Sequence, residues 1–305
     1  MSADPRAYRP YLEGTVSSFD QTRPHRATVT VRGKGWGRLA AAGLGLILGL
    51  SLAVYLLLPL RSNILLLGID SRPEESLASR TDTMVLATVI PTRPYVGMLS
   101  IPRDLWVAIP GVGENRINTA HFFAENALPG SGAEAAKQTV ALNFGVDVPY
   151  YVRIRFEGLV RFVDALGGVE IELAEPMAGY EAGRHLLDGK QALAFVRDRK
   201  GTDDFFRMQR GQIFLRAVLR RGLSPLSWPR LPAAGAVLLT SVDTDLPVLL
   251  WPQVGLAVVR SGPEGIDGRT ITREMARGFT TAGGAAVLAP QWDAINPVLL
   301  EMFGQ

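Results

Sequence analysis

Aspartate and arginine recur together in three short stretches that follow apolar runs of the chain. The stretches are Gly68–Arg72, Ser79–Thr83 and Ile101–Asp104. Arginine presents a planar fork of donors that matches pairs of phosphate oxygens, and aspartate supplies the hard oxygen ligand that Mg²⁺ prefers. These residue types together indicate a site for a metal-bound phosphate or pyrophosphate.

A fourth group of charges lies farther along the chain, where arginines recur within about four helical turns. The group comprises Arg197, Arg199, Arg207 and Arg210. If these guanidinium groups converge on Asp70 and Asp82, the carboxylates can hold a divalent ion while the arginines neutralise the remaining phosphate charge.

Each of these residues also has a plainer explanation. The aspartates after strands can cap turns through backbone-directed hydrogen bonds. Arg207 and Arg210 can form a solvated helix face, or pair with Asp203 and Asp204 at helical spacing. His121 has the apolar neighbours Phe122 and Phe123, which favours a structural role over a catalytic one.

The elements that must position these charges alternate between two periodicities. Apolar runs rich in β-branched residues predict strands at 63–68, 83–90, 95–101, 105–109, 150–156 and 169–173. Helical spacing predicts helices at 134–144, 157–166, 191–197 and from Asp203 or Asp204 to about 221. This alternation predicts a layered α/β fold, in which strand ends carry the ligand site.

An uncharged run of 22 residues, Leu39–Leu60, is long enough to cross a bilayer as a helix. A cleavable signal sequence is the alternative, but the run is longer than a signal core and follows a long tail. Residues 1–38 carry seven basic and three acidic side chains, so positive flanks predict a cytoplasmic N-terminus and an extracytoplasmic C-terminal domain.

The overall charge of +3 therefore comes from the tail, and the rest of the chain carries about −1. Nucleic-acid binding by the domain loses its main support. The absence of cysteine excludes thiolate chemistry, and three histidines make a histidine-rich zinc site a poor explanation.

The same patterns divide the chain into four parts. Residues 1–38 are predicted to be a disordered basic cytoplasmic tail and residues 39–60 a transmembrane helix. Residues 61–232 form the predicted catalytic core, and residues 233–305, with weak helical periodicity, are assigned to a C-terminal flank of the same domain.

Several collinear motifs between about Asn63 and Arg221 resemble the LytR-CpsA-Psr family of bacterial cell-wall proteins. They are Ser100–Asp104, Arg116–Asn118, Tyr151–Val152 with Phe156–Gly158, Val163–Val169 and Leu187–Leu193. The resemblance implies an α/β/α domain with a central mixed sheet after one transmembrane helix, and a hydrophobic pocket for a polyprenyl tail.

The resemblance also implies roles for individual residues. Asp70 and Asp82 match the magnesium ligands, with Mn²⁺ as a possible substitute, and Asp104 is expected to orient its neighbour Arg103. Two departures concern the loop 200–206, which is shorter than usual, and Gly211, where the family commonly has glutamine. The residues expected at the pyrophosphate are Arg80, Arg103, Lys137, Arg197, Arg199, Arg207 and Arg210, of which Arg80 and Arg103, with Asp104, are expected to be catalytic.

The activity implied is transfer of a glycopolymer from a polyprenyl-pyrophosphate carrier to a peptidoglycan acceptor. Two alternatives stay open from the sequence alone. One is a polyprenyl-pyrophosphate hydrolase that uses water as the acceptor. The other is a non-catalytic protein that binds lipid-linked glycan as a scaffold.

Overall fold

The computed structural model of the protein describes residues 34–57, 61–69, 81–93, 95–198, 204–262 and 265–304. The helices within these ranges are α1 Lys34–Leu57, α2 Thr119–Ala127, α3 Gly132–Phe144, α4 Phe156–Ala165, α5 Gly189–Arg197, α6 Asp204–Leu223, α7 Leu231–Ser241, α8 Trp251–Ser261 and α9 Trp292–Phe303, with short 3-10 helices at Pro225–Arg230 and Val248–Leu250.

The strands within the same ranges are β1 Ser62–Ile69, β2 Thr81–Ile90, β3 Tyr95–Ile101, β4 Trp106–Ile109, β5 Gly113–Arg116, β6 Tyr150–Arg155, β7 Val169–Leu173, β8 Gly183–Leu187, β9 Val242–Thr244, β10 Ile266–Thr270, β11 Ala276–Thr280 and β12 Ala286–Pro290. The chain forms two compact units divided between Leu48 and Gly49, and all these strands belong to the second.

Six strands form a mixed central sheet in the order β10-β3-β2-β1-β6-β9. Strand β1 pairs parallel with β6 and antiparallel with β2, and β3 pairs parallel with β10 and antiparallel with β2. Strands β1, β3, β6 and β10 therefore all end at one edge of the sheet, which we call the upper edge, where β2 begins. The opposite end, where β1 begins, is the lower edge.

Helices cover both faces of this sheet. Leu65 and Leu67 of β1 point to a core that includes residues of α3 and α9. Leu66 and Val85 face the other side, where α6 and α8 pack. Burial of such a side chain contributes roughly 1.5–3 kcal/mol relative to exposure. The predicted layered α/β/α fold is confirmed.

Helix α1 contains the predicted membrane segment. Residues Trp36–Leu56 form 21 residues with a mean hydropathy of 2.2, so by length and composition this helix can cross a membrane. It is the one such helix in the described ranges.

The C-terminal part of the chain contributes strands that the sequence did not reveal. Strands β9 and β10 lie at opposite sides of the central sheet, and β11 pairs with β12 in a separate hairpin. Strand β10 reads Ile-Asp-Gly-Arg-Thr, which has no apolar alternation, so its pairing with β3 holds it in the sheet. Gln212 of α6 reinforces the pair by donating to the carbonyl oxygens of Met98 and Arg269.

The start of α5 is fixed by a capping box and by close packing on α4. The Asp188 carboxylate accepts from the Gln191 amide at 2.8 Å, and Gln191 accepts from the Asp188 amide at 3.0 Å. Gly189 donates its backbone N–H to Asp164 at 2.7 Å. A Cβ atom at position 189 would lie 2.2 Å from the carbonyl oxygen of Val160, so only glycine fits.

A polar network centred on the buried Arg153 joins α2 to strands β6 and β9. Arg153 donates to the ring Nε2 of His121 at 2.9 Å and lies 3.3 Å from Glu125 and 2.5 Å from Asp243. Glu125 also accepts the backbone N–H groups of Gly130 and Gly132. Burial alone raises the pKa of Glu125, but these N–H donors and the Arg153 charge outweigh it and hold the pKa below its ordinary value.

Replacing Gly189 by alanine is expected to destabilise the domain by about 1–3 kcal/mol, because the contact to a backbone oxygen of α4 cannot relax by side-chain rotation. Chemical denaturation of the purified protein measures the change. Gly235→Ala is the matched control, since nothing lies within 4 Å of a Cβ atom there and alanine is the better helix former. Equal effects of the two substitutions would contradict the packing argument.

Glu125→Gln is expected to lower the free energy of unfolding at pH 7 by about 1.5–3 kcal/mol, the usual worth of a hydrogen bond to a charged group. Because the folded pKa is lowered, the carboxylate stabilises the protein above the ordinary glutamate pKa, and this stability is lost as the pH falls through the folded value. The gap between wild type and variant should therefore close in acid. Urea unfolding from pH 7 to pH 3 measures it, with the exposed Glu181→Gln as control; a gap that stays constant would refute the assignment.

Candidate functional site at the upper edge of the sheet

Asp82 lies at the upper edge because of an irregularity in the pairing of β1 with β2. Gly68 pairs with Thr83 while Ile69 pairs with Thr81, so Asp82 is the extra residue of a β-bulge. Bulges re-aim a side chain and often lie beside functional sites. A Cβ atom on Gly68 would lie 3.1 Å from the Cβ of Thr83, its partner on β2, which is a tight contact. Glycine avoids this crowding between the paired strands.

Arg103 reaches Asp82 from the turn that follows β3. The turn is closed by the Leu105 amide, which donates to the Pro102 carbonyl at 3.2 Å. Arg103 Nη1 donates to Asp82 Oδ1 at 2.8 Å, and both side chains are about one-fifth to one-quarter exposed, 24% and 20%. Asp104 Oδ2 lies 3.5 Å from Arg103 Nε, and the expected orienting role stays a prediction.

Helix α6 brings a second arginine to the same carboxylate. Arg207 Nη1 lies 3.8 Å from Asp82 Oδ1, and Arg207 Nη2 lies 2.5 Å from Asp204 Oδ1. Asp204 Oδ1 is also 3.3 Å from Arg103 Nε. Two carboxylates thus link two guanidinium groups from different parts of the chain.

Asp204 opens α6 in the middle of this cluster. Burial raises the pKa of its carboxyl group above the ordinary value, although the charges of Arg207 and Arg103 act in the opposite direction. Its Oδ2 atom is buried and makes no hydrogen bond within the described part of the chain. A buried acceptor in this state can accept a donor or cation that enters the site.

Arg197 reaches the upper edge through an aromatic contact. Its guanidinium carbon lies 5.2 Å from the centroid of Phe156, the residue that follows β6. Phe156 is also close to Gly68, since a Cβ atom there would lie 3.6 Å from the phenyl ring. Stacking on the ring therefore places Arg197 at the same end of the sheet as Asp82.

Arg210 is fully buried one turn after Arg207. It donates through Nη2 to the carbonyl oxygen of Asp198, the residue that follows α5. Burial lowers the pKa of its guanidinium group, and the Asp198 charge partly opposes that shift. Arg210 thus ties the ends of α5 and α6 together beside the cluster.

Lys137, predicted beside the pyrophosphate, is not brought to this cluster. It is buried on α3 and donates to the Pro149 carbonyl at 3.0 Å and to Asp245 at 2.5 Å, beside the start of β6 at the lower edge. Burial alone would lower its pKa, but hydrogen bonds to Asp245 and Glu134 raise it above the ordinary value. Asp245 and Glu134 hold the Lys137 ammonium group beside the start of β6, at the end of that strand opposite the cluster.

Three predicted site residues, Asp70, Arg80 and Arg199, lie outside the described residues. Their roles stay predictions. In sequence, Asp70 follows the last residue of β1, Arg80 precedes the first residue of β2, and Arg199 comes two residues after Arg197.

Two members of the cluster were not assigned to the site from sequence. Asp204 was considered only as a helix cap or a local partner of Arg207. The i, i+3 pair with Arg207 is present, and the same carboxylate also lies 3.3 Å from Arg103 Nε, which the sequence did not indicate. Arg116 is the last residue of β5, and the pairing of β5 with β4 brings it back to Asp104. Arg116 Nε lies 3.1 Å from Asp104 Oδ1. The Arg116–Asn118 motif was the available signal.

The described residues could supply some of the ligands of a divalent ion, but not a complete set. Within them, no group of three or more histidine, aspartate and glutamate side chains converges. Mg²⁺ commonly takes one or two carboxylates and completes its octahedron with phosphate oxygens and water. Among the described residues, Asp82 offers one such carboxylate at the upper edge.

Comparison with known proteins gives a consistent picture of the chain. The sequence model of the LytR_cpsA_psr family matches residues 60–296. A protein of Oceanobacillus iheyensis named polyisoprenyl-teichoic acid–peptidoglycan teichoic acid transferase TagU is 36% identical over 190 residues, 60% of this chain and 58% of that protein. A protein of the same name from Halalkalibacterium halodurans is 37% identical over 195 residues, 60% of each chain. The match thus spans about three-fifths of these relatives.

Solved structures share the fold. The crystal structure of B. subtilis TagV superposes with a TM-score of 0.66 at 21% identity, covering 80% of this chain and 97% of that one. The crystal structure of B. subtilis TagT gives a TM-score of 0.63 at 25% identity, with 81% and 92% covered.

A double-mutant cycle on Arg207 and Asp204 is expected to give a coupling energy above about 1 kcal/mol, because removal of one partner leaves a buried charge. The single variants Arg207→Ala and Asp204→Ala and the double variant are compared by chemical denaturation. The control cycle is Arg184 with Glu172, an exposed pair at 3.6 Å whose coupling should stay below about 1 kcal/mol. Similar couplings in the two cycles would contradict the proposed tight cluster.

Proposed function

Because the chain belongs to the LytR_cpsA_psr family, we propose that it transfers a glycopolymer from a polyprenyl-pyrophosphate carrier to a hydroxyl group of a peptidoglycan acceptor. The curated relatives are named as transferases of teichoic acid from a polyisoprenyl carrier to peptidoglycan. The observation that supports the proposal most directly is the meeting of Arg103 and Arg207 at Asp82.

The arginines supply the proposed pyrophosphate-binding surface. Arg103 and Arg207 present guanidinium groups from two elements to one point, and Arg197 lies at the same edge. Forked donors of this kind bind phosphate oxygens in pairs, which fixes the position of the ligand as well as its charge. Arg80 and Arg199 are proposed to complete the surface, and Arg210 to hold its backbone frame.

We assign Asp82, with Asp70, to the binding of Mg²⁺, or of Mn²⁺ in its place. When bound, the ion neutralises pyrophosphate charge and so favours departure of the leaving group. The chain's own contribution is a carboxylate held in place by Arg103, at 2.8 Å.

The proposed step forms one bond and breaks one. The acceptor hydroxyl oxygen bonds to the phosphorus that carries the glycan, and the bond from that phosphorus to the bridging oxygen breaks. Polyprenyl phosphate leaves with the bridging oxygen, and the hydroxyl proton passes to solvent. Arg103 stabilises charge on the phosphoryl oxygens, while Asp104 and Asp204 keep its Nε edge oriented.

Helix α1 is proposed to anchor the enzyme as a single-pass membrane protein. The basic residues before the helix favour a cytoplasmic N-terminus, which leaves the second compact unit outside the cytoplasm. Confinement of enzyme and lipid carrier to one membrane raises their effective concentration.

Arg103→Ala and Asp82→Ala are expected to lower the transfer rate by about a hundredfold or more, because the first removes charge stabilisation at the phosphoryl group and the second a proposed ligand of the metal ion. The full chain in detergent is supplied with a polyprenyl-pyrophosphate-linked glycan, an oligomeric peptidoglycan acceptor and Mg²⁺. Mass spectrometry then follows the product, and chelation of the metal should abolish its formation.

Arg184→Ala is the control, since this arginine is exposed on β8 and its contacts to Glu170 and Glu172 are long, at 4.0 and 3.6 Å. It should keep the wild-type rate. Full activity of Arg103→Ala would remove the central support of the proposal. Release of free glycan phosphate at the same rate with and without acceptor would instead identify a hydrolase.

A further inference from the structure

The lower edge of the sheet lies next to the end of helix α1. At about 1.5 Å per residue the 21 residues Trp36–Leu56 span about 31 Å, close to the hydrocarbon thickness of a bilayer. Trp36 and Tyr55 stand near its two ends, where aromatic side chains favour the headgroup region. On the proposed membrane span, Tyr55 is therefore at the level of the lipid headgroups.

Polar contacts attach the last turns of α1 to the domain. The Tyr55 hydroxyl donates to the Leu249 carbonyl, and the buried Gln253 side chain donates to the Tyr55 carbonyl. Leu249 and its neighbour Val248 are 72% and 71% exposed. The exposed side chains of Val248 and Leu249 therefore lie near the level of the lipid headgroups, where Tyr55 is placed.

A second exposed apolar pair lies at the same edge. Helix α4 starts after β6 at the upper edge and runs back, so its last residues reach the lower edge. Arg221 binds the carbonyl oxygens of Leu166 and Gly167 there, and the 3-10 helix Pro225–Arg230 follows. The exposed members of that helix include Leu226 at 80% and Trp228 at 61%.

Positive charge accompanies these apolar residues. Arg230 and Arg260 are exposed, and Arg260 donates to the Pro91 carbonyl in the turn after β2, which is also at the lower edge. Arginines near a membrane surface are attracted to anionic headgroups by about 1 kcal/mol each.

We propose that Leu226, Trp228, Val248 and Leu249 form a membrane-docking surface that inserts into the headgroup region of the bilayer. Apolar and aromatic side chains combined with arginines are typical of surfaces that bind at this interface. We assign the bilayer as the partner of this surface because Leu249 is hydrogen-bonded to Tyr55, which lies near the end of the proposed membrane span. The domain would then be held by two contacts, the span and this surface, which fixes the direction of the sheet relative to the membrane.

The absence of cysteine allows a direct test on the full chain. Trp228→Cys and Leu249→Cys are labelled singly with a nitroxide and reconstituted in nanodiscs of phosphatidylcholine and phosphatidylglycerol. Phe279→Cys is the control, because Phe279 is an exposed apolar residue in β11 beside Trp106, near the upper edge. Electron paramagnetic resonance measures accessibility to dissolved oxygen and to a water-soluble nickel chelate.

Docking predicts that both lower-edge labels are more accessible to oxygen than to nickel, with the ratio reversed at position 279. A Trp228 label that behaves like the control would overturn the proposal. Dipolar broadening that grows with protein density would do so too, since it would show a second copy covering the surface. The readout needs no substrate, so transfer by the same labelled proteins tests the proposed function separately.

Discussion

Two guanidinium groups share one carboxylate oxygen at the upper edge, Arg103 at 2.8 Å and Arg207 at 3.8 Å from Asp82 Oδ1. The positive charges of the two guanidinium groups repel each other, since both are held close to the same oxygen. The carboxylates of Asp82, Asp104 and Asp204 offset this repulsion in the folded chain.

The bulge at Asp82 and the packing around it serve this arrangement. The small residue Gly68 lets β1 approach Thr83 closely, and the bulge turns Asp82 toward Arg103. Helix α6 adds Arg207 and Asp204 one turn apart, so its rotation about its own axis sets the second half of the cluster. Strand pairing therefore positions Asp82 and Arg103, and the packing of α6 positions Arg207 and Asp204.

Local patterns were sufficient for much of this fold. Strands β3 and β7 have the limits that the apolar runs indicate. Strand β10 was not predictable in this way, because its polar sequence is held by pairing with β3. The fold class followed from elements with strong patterns, and the missing strands follow from contacts distant in sequence.

The candidate site was predictable to a similar depth. Asp82, Arg103 and Arg207 were indicated by residue type and by motif, and strand pairing together with the packing of α6 brings them together. Lys137 shows the limit, because a lysine in a motif-poor helix can be paired with any carboxylate the fold supplies, here Asp245. The sharing of Asp204 between two arginines depends on how α6 packs, which no local spacing records.

Helix α9 closes the core that β1 begins. Its residues Leu299 and Phe303 are buried against the same cluster as Leu65, and Arg61 donates to the Met302 carbonyl at 2.9 Å. During synthesis β1 emerges before α9, and more than two hundred residues separate the two elements. Long-range closure of this kind slows folding and leaves apolar strands uncovered in the meantime. During biosynthesis the core around β1 therefore stays incomplete until α9 has emerged.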